Sequence, residues 1–250
     1  MHDTLSHVAP VVAPRPLPTA GAIDLRSHLA LPLALFALAI TLVWSYGLDW
    51  RLAHSLYAWE GYRWVLKKAF LTQHLLHRLG HDLSVAAWAG VLLAWLASFR
   101  RDSLIAWRRP LGYLTLSVLV STALVAAIKA GSNMDCPWDI DGLGGTRPYL
   151  GLLDLRPDHL PDASCFPAGH ASGGYAWMAL YFFFLMTRPH LRWRGLTVGI
   201  AVGTVFGIAQ QLRGAHFLSH DLWTAAICWT TALGLFLWLR PKADAGFHAR

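Results

Sequence analysis

The sequence predicts an all-α integral membrane protein: a six-helix bundle with an interfacial amphipathic segment and a polar extracytoplasmic loop. Composition is the first reason. Of the 250 residues 55% are hydrophobic and only 14% are charged, against about 25% charged in a soluble domain. Too little polar side chain remains to cover a soluble surface. The second reason is the recurrence of apolar runs close to the roughly 20 residues that a helix needs to cross the hydrocarbon core. The third is the placement of Lys and Arg in short clusters beside those runs, as the positive-inside rule expects. The formal charge of +7 is therefore scattered, with no single basic patch that would suit nucleic acid.

Residues 1–28 carry Pro10, Pro14, Pro16 and Pro18, which oppose a helix, and read as a flexible cytoplasmic tail. They lack the apolar core and cleavage site of a signal peptide. A single membrane domain is expected over residues 29–240. Its first span runs from Leu29 to Tyr46. Residues 48–81 interleave aromatic and basic side chains, including Trp50, Arg51, Tyr57, Trp59, Arg63, Trp64, Lys67 and Lys68, and read as an amphipathic segment at the interface. The second span, Leu83 to Phe99, ends at Arg100-Arg101. A short basic loop closes with Arg108-Arg109-Pro110, and the third span is Leu111 to Ile128. Lys129 to Gly169 is a long polar segment rich in Gly, Pro and Asp. The fourth span, Ala171 to Met186, precedes Arg188, Arg192 and Arg194. The fifth is Leu196 to Leu212, the sixth Leu222 to Leu239, and residues 241–250 form a cytoplasmic tail. Six spans put both termini on one side, with 12 Lys and Arg inside against 9 outside. The expected location is the cell (inner) membrane. In that orientation the 129–169 segment and the stretch after the fifth span meet on the extracytoplasmic (periplasmic) face.

That stretch, Arg213-Gly-Ala-His-Phe-Leu-Ser-His-Asp221, holds four ionisable groups at a span's rim. Such groups are costly there and point to function; the alternative is that they only anchor the helix end. On a helix His216 and His220 share a face. A neutral imidazole serves as nucleophile or base near pH 7, and a second one as general acid. Lys129 and Arg213 supply positive charge for a transferring phosphoryl group. Pro167-Ala168-Gly169, just ahead of a helix, offers backbone N–H groups to an oxyanion. No Cys, His and carboxylate cluster calls for a metal, and no cofactor is expected. His54, His74, His77 and His81 read as interface or packing residues, and Cys228 as a packing residue. Asp135 and Asp139 either solvate the loop or pair with Lys129 or Arg147. Cys136 and Cys165 share the polar loop and are either disulfide-bonded, as an oxidising face allows, or free thiols.

These residues resemble the type 2 phosphatidic acid phosphatase family, which is related in its core to bacterial acid phosphatases and vanadium haloperoxidases. The resemblance covers Lys129 to Asp221 and rests on three motifs in order: K-x6-RP, PSGH and SR-x5-H-x3-D. It implies that Lys129 and Arg213 bind phosphate and that Gly169 lies in the anion-binding turn. It further implies that His170 protonates the leaving group and that His216 is the nucleophile forming a phosphohistidine. The sequence departs from the pattern at several positions. Cys136-Pro137 stands in place of Arg-Pro, so Arg147 or Arg156 would have to replace that guanidinium. Ala168 replaces the motif serine, with Ser164 or Ser172 nearby. Gln210 occupies the third-motif arginine position and Arg213 lies three residues later. His220 occupies the aspartate position with Asp221 one residue on. Either can orient His216, and the carboxylate of Asp221 is the preferred partner.

The expected function is a metal-independent phosphatase acting on a membrane lipid phosphate or pyrophosphate. Its partners would be that lipid and the bilayer. Phosphatidic acid, phosphatidylglycerol phosphate, undecaprenyl pyrophosphate and a lipid A phosphate are all consistent with the family. The alternatives are a phosphotransferase of the same family, a non-catalytic protein binding metal or haem through His216 and His220, and an inactive relative that binds lipid. The oligomeric state stays open.

Overall fold

A computed structural model describes residues 23–152 and 154–239. The expected tail over 241–250 and all but the last six residues of the 1–28 tail lie outside them. The described residues are helical, with no strand beyond one isolated bridge between Ile140 and Arg147. Eight α-helices follow in order: α1 Leu31–Ser45, α2 Leu48–Trp59, α3 Gly80–Ala97, α4 Arg108–Gly131, α5 Gly169–Tyr175, α6 Leu180–Thr187, α7 Arg192–Leu212 and α8 Leu218–Leu239.

Five helical stretches are long and apolar enough to cross a membrane: Arg26–Ser45, Phe70–Ala97, Asp102–Gly131, Pro189–Leu212 and Leu218–Leu239. The chain is a multi-pass membrane protein. Three boundaries differ from expectation for local reasons. Helix begins at Arg26, inside the expected tail, because the run of closely spaced prolines ends at Pro18, Pro32 falls in the first turn of α1, and the Asp24 carboxylate accepts the Arg26 N–H at 3.0 Å. The expected interfacial segment is split. Its first half is α2, whereas Phe70–Leu79 coils in π-type turns straight into α3, making one stretch of 28 residues. Thr72, whose hydroxyl donates to the Leu66 carbonyl, ties down its start. The fourth expected span is helical but broken, since α5 and α6 are joined by a tight 3-10 turn at Ala176–Ala179.

That broken stretch is the centre of the bundle. Ala171, Ala176, Ala179 and Phe182 are fully buried, packed with Tyr113, Val118 and Val125 of α4 and Cys228, Ala232 and Leu233 of α8. α7 reaches it through glycines. A Cβ at Gly195, Gly199 or Gly203 would collide with the backbone of Leu180, the backbone of Met178 or the ring of Tyr175. Small residues at this spacing let helices approach closely where no hydrophobic effect drives them together. Hydrogen bonds in an apolar medium complete the packing. Tyr113 donates to the Ala232 carbonyl at 3.0 Å, Trp88 Nε1 to the Thr115 carbonyl at 3.1 Å, and Ser84 to the Gly173 carbonyl at 2.7 Å. A second, small cluster of Ala53, Ile140, Leu143 and Phe217 lies between α2 and the polar loop, at the end of the bundle where α4 and α7 finish.

Candidate active site

The three polar segments converge at that end. Lys129 sits in the last turn of α4 and Gly169 opens α5. A Cβ at Gly169 would lie 3.3 Å from Lys129 Cδ, so the glycine leaves room for the lysine chain to run past it. Arg213 and His216 occupy the turn between α7 and α8, which needs the left-handed backbone of Gly214 (φ 68°). The loop is fastened to this turn by the Trp138 N–H on the Gly214 carbonyl at 3.0 Å. It is fastened to α8 by the Ala168 N–H on Thr224 Oγ1 at 3.0 Å. Cys136 and Cys165 are joined by a disulfide, with Cα atoms 5.2 Å apart, so the chain after Lys129 is tied to the chain before His170.

The two C-terminal histidines face each other, His216 Nδ1 lying 3.3 Å from His220 Nδ1, and both rings are buried. Burial pushes the His216 imidazole well below its ordinary pKa, and the nearby charges of His220, Lys129 and His170 act the same way. A neutral ring follows. His170 sets Nε2 3.1 Å from the Leu76 carbonyl, so that nitrogen carries hydrogen. Its ring lies between Phe206, with centroids 4.6 Å apart, and His77, stacked at 4.5 Å.

Arg213 is buried, and each of its three guanidinium nitrogens donates one hydrogen bond to a neutral oxygen. Nε donates to the Lys67 carbonyl at 3.2 Å, Nη1 to Gln210 Oε1 at 3.0 Å, and Nη2 to Gln73 Oε1. Gln210, at the third-motif arginine position, therefore serves as a holder of the arginine one turn on.

Two expectations need correction. Asp221, the preferred partner for His216, is turned away from it: Oδ2 accepts from Gln211 Nε2 at 2.6 Å and its carboxyl lies over Gly207. α8 starts at Leu218, so a residue one position beyond His220 is rotated about 100° around the axis, toward α7. Arg147, expected to replace the missing motif guanidinium, is ion-paired with Asp135 instead, together with Arg156, whose Nη1 is 2.6 Å from Asp135 Oδ2. Burial alone would raise the Asp135 carboxyl, but the hydrogen bonds from Arg156 and Arg147 outweigh it and hold it below the ordinary carboxylate value.

The site also draws on residues that the motifs do not contain. Lys67, Gln73, Leu76 and His77 come from the segment read as interfacial; the helical spacing of the 74, 77 and 81 histidines was the only local hint. Asp49 of α2, buried, accepts the Ser219 N–H at 2.9 Å and so caps α8 beside His220.

No curated protein and no solved structure matches this sequence. A family model does: that of the PAP2 superfamily, over residues 110–244, which is more than half of the chain and holds Lys129, His170, Arg213, His216 and His220. The chain belongs to the PAP2 superfamily.

Proposed function

We propose that the protein is a lipid phosphate phosphatase that works through a phosphohistidine at His216, without a metal. One observation carries the reading: Lys129, His170, Arg213 and His216, spread over 88 residues of sequence, meet at one end of the bundle around a neutral imidazole. The Nδ1 contact with His220 is compatible with this chemistry. When His216 donates Nδ1–H to His220 Nδ1, His216 Nε2 keeps its lone pair and is the nucleophile. His220 then carries hydrogen on Nε2, which is buried without a hydrogen-bond partner among the described residues. His220 thus takes the orienting role given to an aspartate in the family motif.

In the first step His216 Nε2 forms a bond to phosphorus as the bond to the lipid oxygen breaks. His170, with Nε2–H committed to Leu76, serves here in its imidazolium form and delivers the Nδ1 proton to that oxygen; the second step restores it. Arg213 and Lys129 bear the charge on the non-bridging oxygens. Water then attacks phosphorus, His170 takes its proton, and phosphate leaves His216. Asp221 and Asp135, the carboxylates within the motif segments, are engaged by Gln211 and by Arg147 and Arg156. Taken as a sixth crossing, residues 169–187, about 28 Å of helix, support an extracytoplasmic position for this end of the bundle by the positive-inside rule. A lipid headgroup is the substrate that reaches such a site from the bilayer.

The test is phosphate release by purified protein from a panel of lipid phosphates, with His216→Ala and His170→Ala beside it and a chelator in a parallel series. The expected result is release that survives chelation and disappears in both variants. Release that persists in His216→Ala would rule out the phosphohistidine.

A further inference from the structure

The segment ahead of α3 lies outside residues 110–244, yet it touches two of the proposed catalytic groups. Gln73 accepts from Arg213 across 140 residues of sequence, and one turn later the Leu76 carbonyl and the His77 ring hold His170. We propose that Gln73 is a positioning residue of the phosphate site: with Gln210 and the Lys67 carbonyl it fixes the Arg213 guanidinium through neutral oxygens, leaving its positive charge uncancelled for the substrate. This inference rests on the hydrolytic reading above.

A guanidinium has five N–H groups. Three are used by Lys67, Gln73 and Gln210, which leaves one on each terminal nitrogen for phosphate oxygens. The choice of holder matters because Arg213 is only 8% exposed. A carboxylate at position 73 would hold the guanidinium more tightly, since charge-assisted hydrogen bonds are the stronger kind. It would also neutralise the cation before the substrate arrives. The same chain shows that outcome at Asp135, where Arg147 and Arg156 are both drawn onto one carboxylate. An amide oxygen gives orientation without neutralisation.

Gln73→Glu therefore separates a positioning role from a structural tie, with Gln73→Met as the variant that keeps the size and removes the acceptor. The measurements are the Kd for inorganic phosphate, KM and kcat on a short-chain lipid phosphate, and the melting temperature, all at pH 7.5 in detergent. Gln73→Glu is expected to melt at or above wild type while Kd and KM rise on the order of tenfold, the loss of one charged hydrogen bond's worth of attraction. Gln73→Met should raise Kd and KM by less. If Gln73→Glu binds phosphate and substrate as wild type does, or Gln73→Met lowers only the melting temperature, Gln73 is a structural tie and the inference fails. The Kd needs no turnover, so it decides the matter even if His216→Ala shows the hydrolytic reading to be wrong. Wild-type protein that binds no phosphate also overturns it.

Discussion

Two arginine sites lie at the same end of this bundle and are built on opposite principles. Arg213 is held by an amide from each of two helical segments and by a backbone carbonyl, so its charge stands uncancelled in a buried place. Arg147 and Arg156 share the carboxylate of Asp135, whose side chain is only 2% exposed, and one of their two charges is cancelled. The first arrangement leaves the guanidinium charge available for the anion proposed to bind there. The second is a permanent clasp that shapes the loop between Lys129 and His170. Counting basic residues does not distinguish a ligand from a clasp; the charge of the acceptors does.

The sharpest way to break this contrast is Asp135→Ala. It leaves two guanidiniums without their partner and should destabilise the fold by about 3 kcal/mol or more, while folded molecules keep their activity per molecule; unfolding in denaturant with parallel assays checks both. Acid gives the same answer without mutation. Because the folded Asp135 carboxyl is held below its unfolded value, its stabilisation is fully present above the unfolded value of about 3.9. It is lost as pH falls through the lowered one. Melting temperatures should drop over that acid range in wild type and less in Asp135→Asn.

Arg213→Ala should do the reverse. It should lower kcat/KM on the order of a hundredfold with little change in melting temperature, since the desolvation of a buried cation offsets the bonds it makes. Inorganic phosphate at a hundred times its Kd should stabilise wild type by about 2.7 kcal/mol, and Arg213→Ala should abolish that shift where Arg147→Ala keeps it. The smallest effect belongs to Arg147→Ala. Arg147 has a quarter of its side chain exposed, and Arg156 still bonds both carboxylate oxygens. The expected cost is about 1 kcal/mol or less, with phosphate binding unchanged. A pH profile adds a check on His216: with its pKa pushed down by burial, the acid limb of kcat/KM should fall below the ordinary imidazole value of about 6.5.

The positions of Lys129, Gly169, His170 and His216 were legible because order and spacing along a chain identify a motif even when several of its letters change. The apolar runs were legible for a similar reason, since crossing hydrocarbon is a requirement on local composition. What the sequence concealed depends on contacts between distant residues. Nothing near Gln73 announces Arg213. The Asp135–Arg147 pair was among the readings the sequence offered, but nothing showed that Arg156 joins it on a buried carboxylate. Asp221 misled because a carboxylate is the better electrostatic partner for a histidine, yet helix phase turns it toward Gln211. The extent of Phe70–Ala97 was hidden because its first turns carry Gln73, His74, His77 and Arg78, which lower hydropathy where the helix serves the site.

The glycines of α7 have a consequence for how this site can vary over evolutionary time. At Gly195, Gly199 and Gly203 the gap between α7, which ends just before Arg213, and the 169–187 stretch, which begins beside His170, is set by atoms that are missing. A cavity can be refilled by a neighbouring side chain, whereas a gap already closed to backbone contact has no such slack. Any side chain there would wedge the two helices apart and carry the proposed proton donor away from the phosphate ligand. These three positions of the bundle thereby tolerate no side chain, whereas the rim carries no such limit. There, on the proposed reading, Arg213 stands one turn from the motif arginine position, Gln210 holds it, and His220 stands where the motif has a carboxylate.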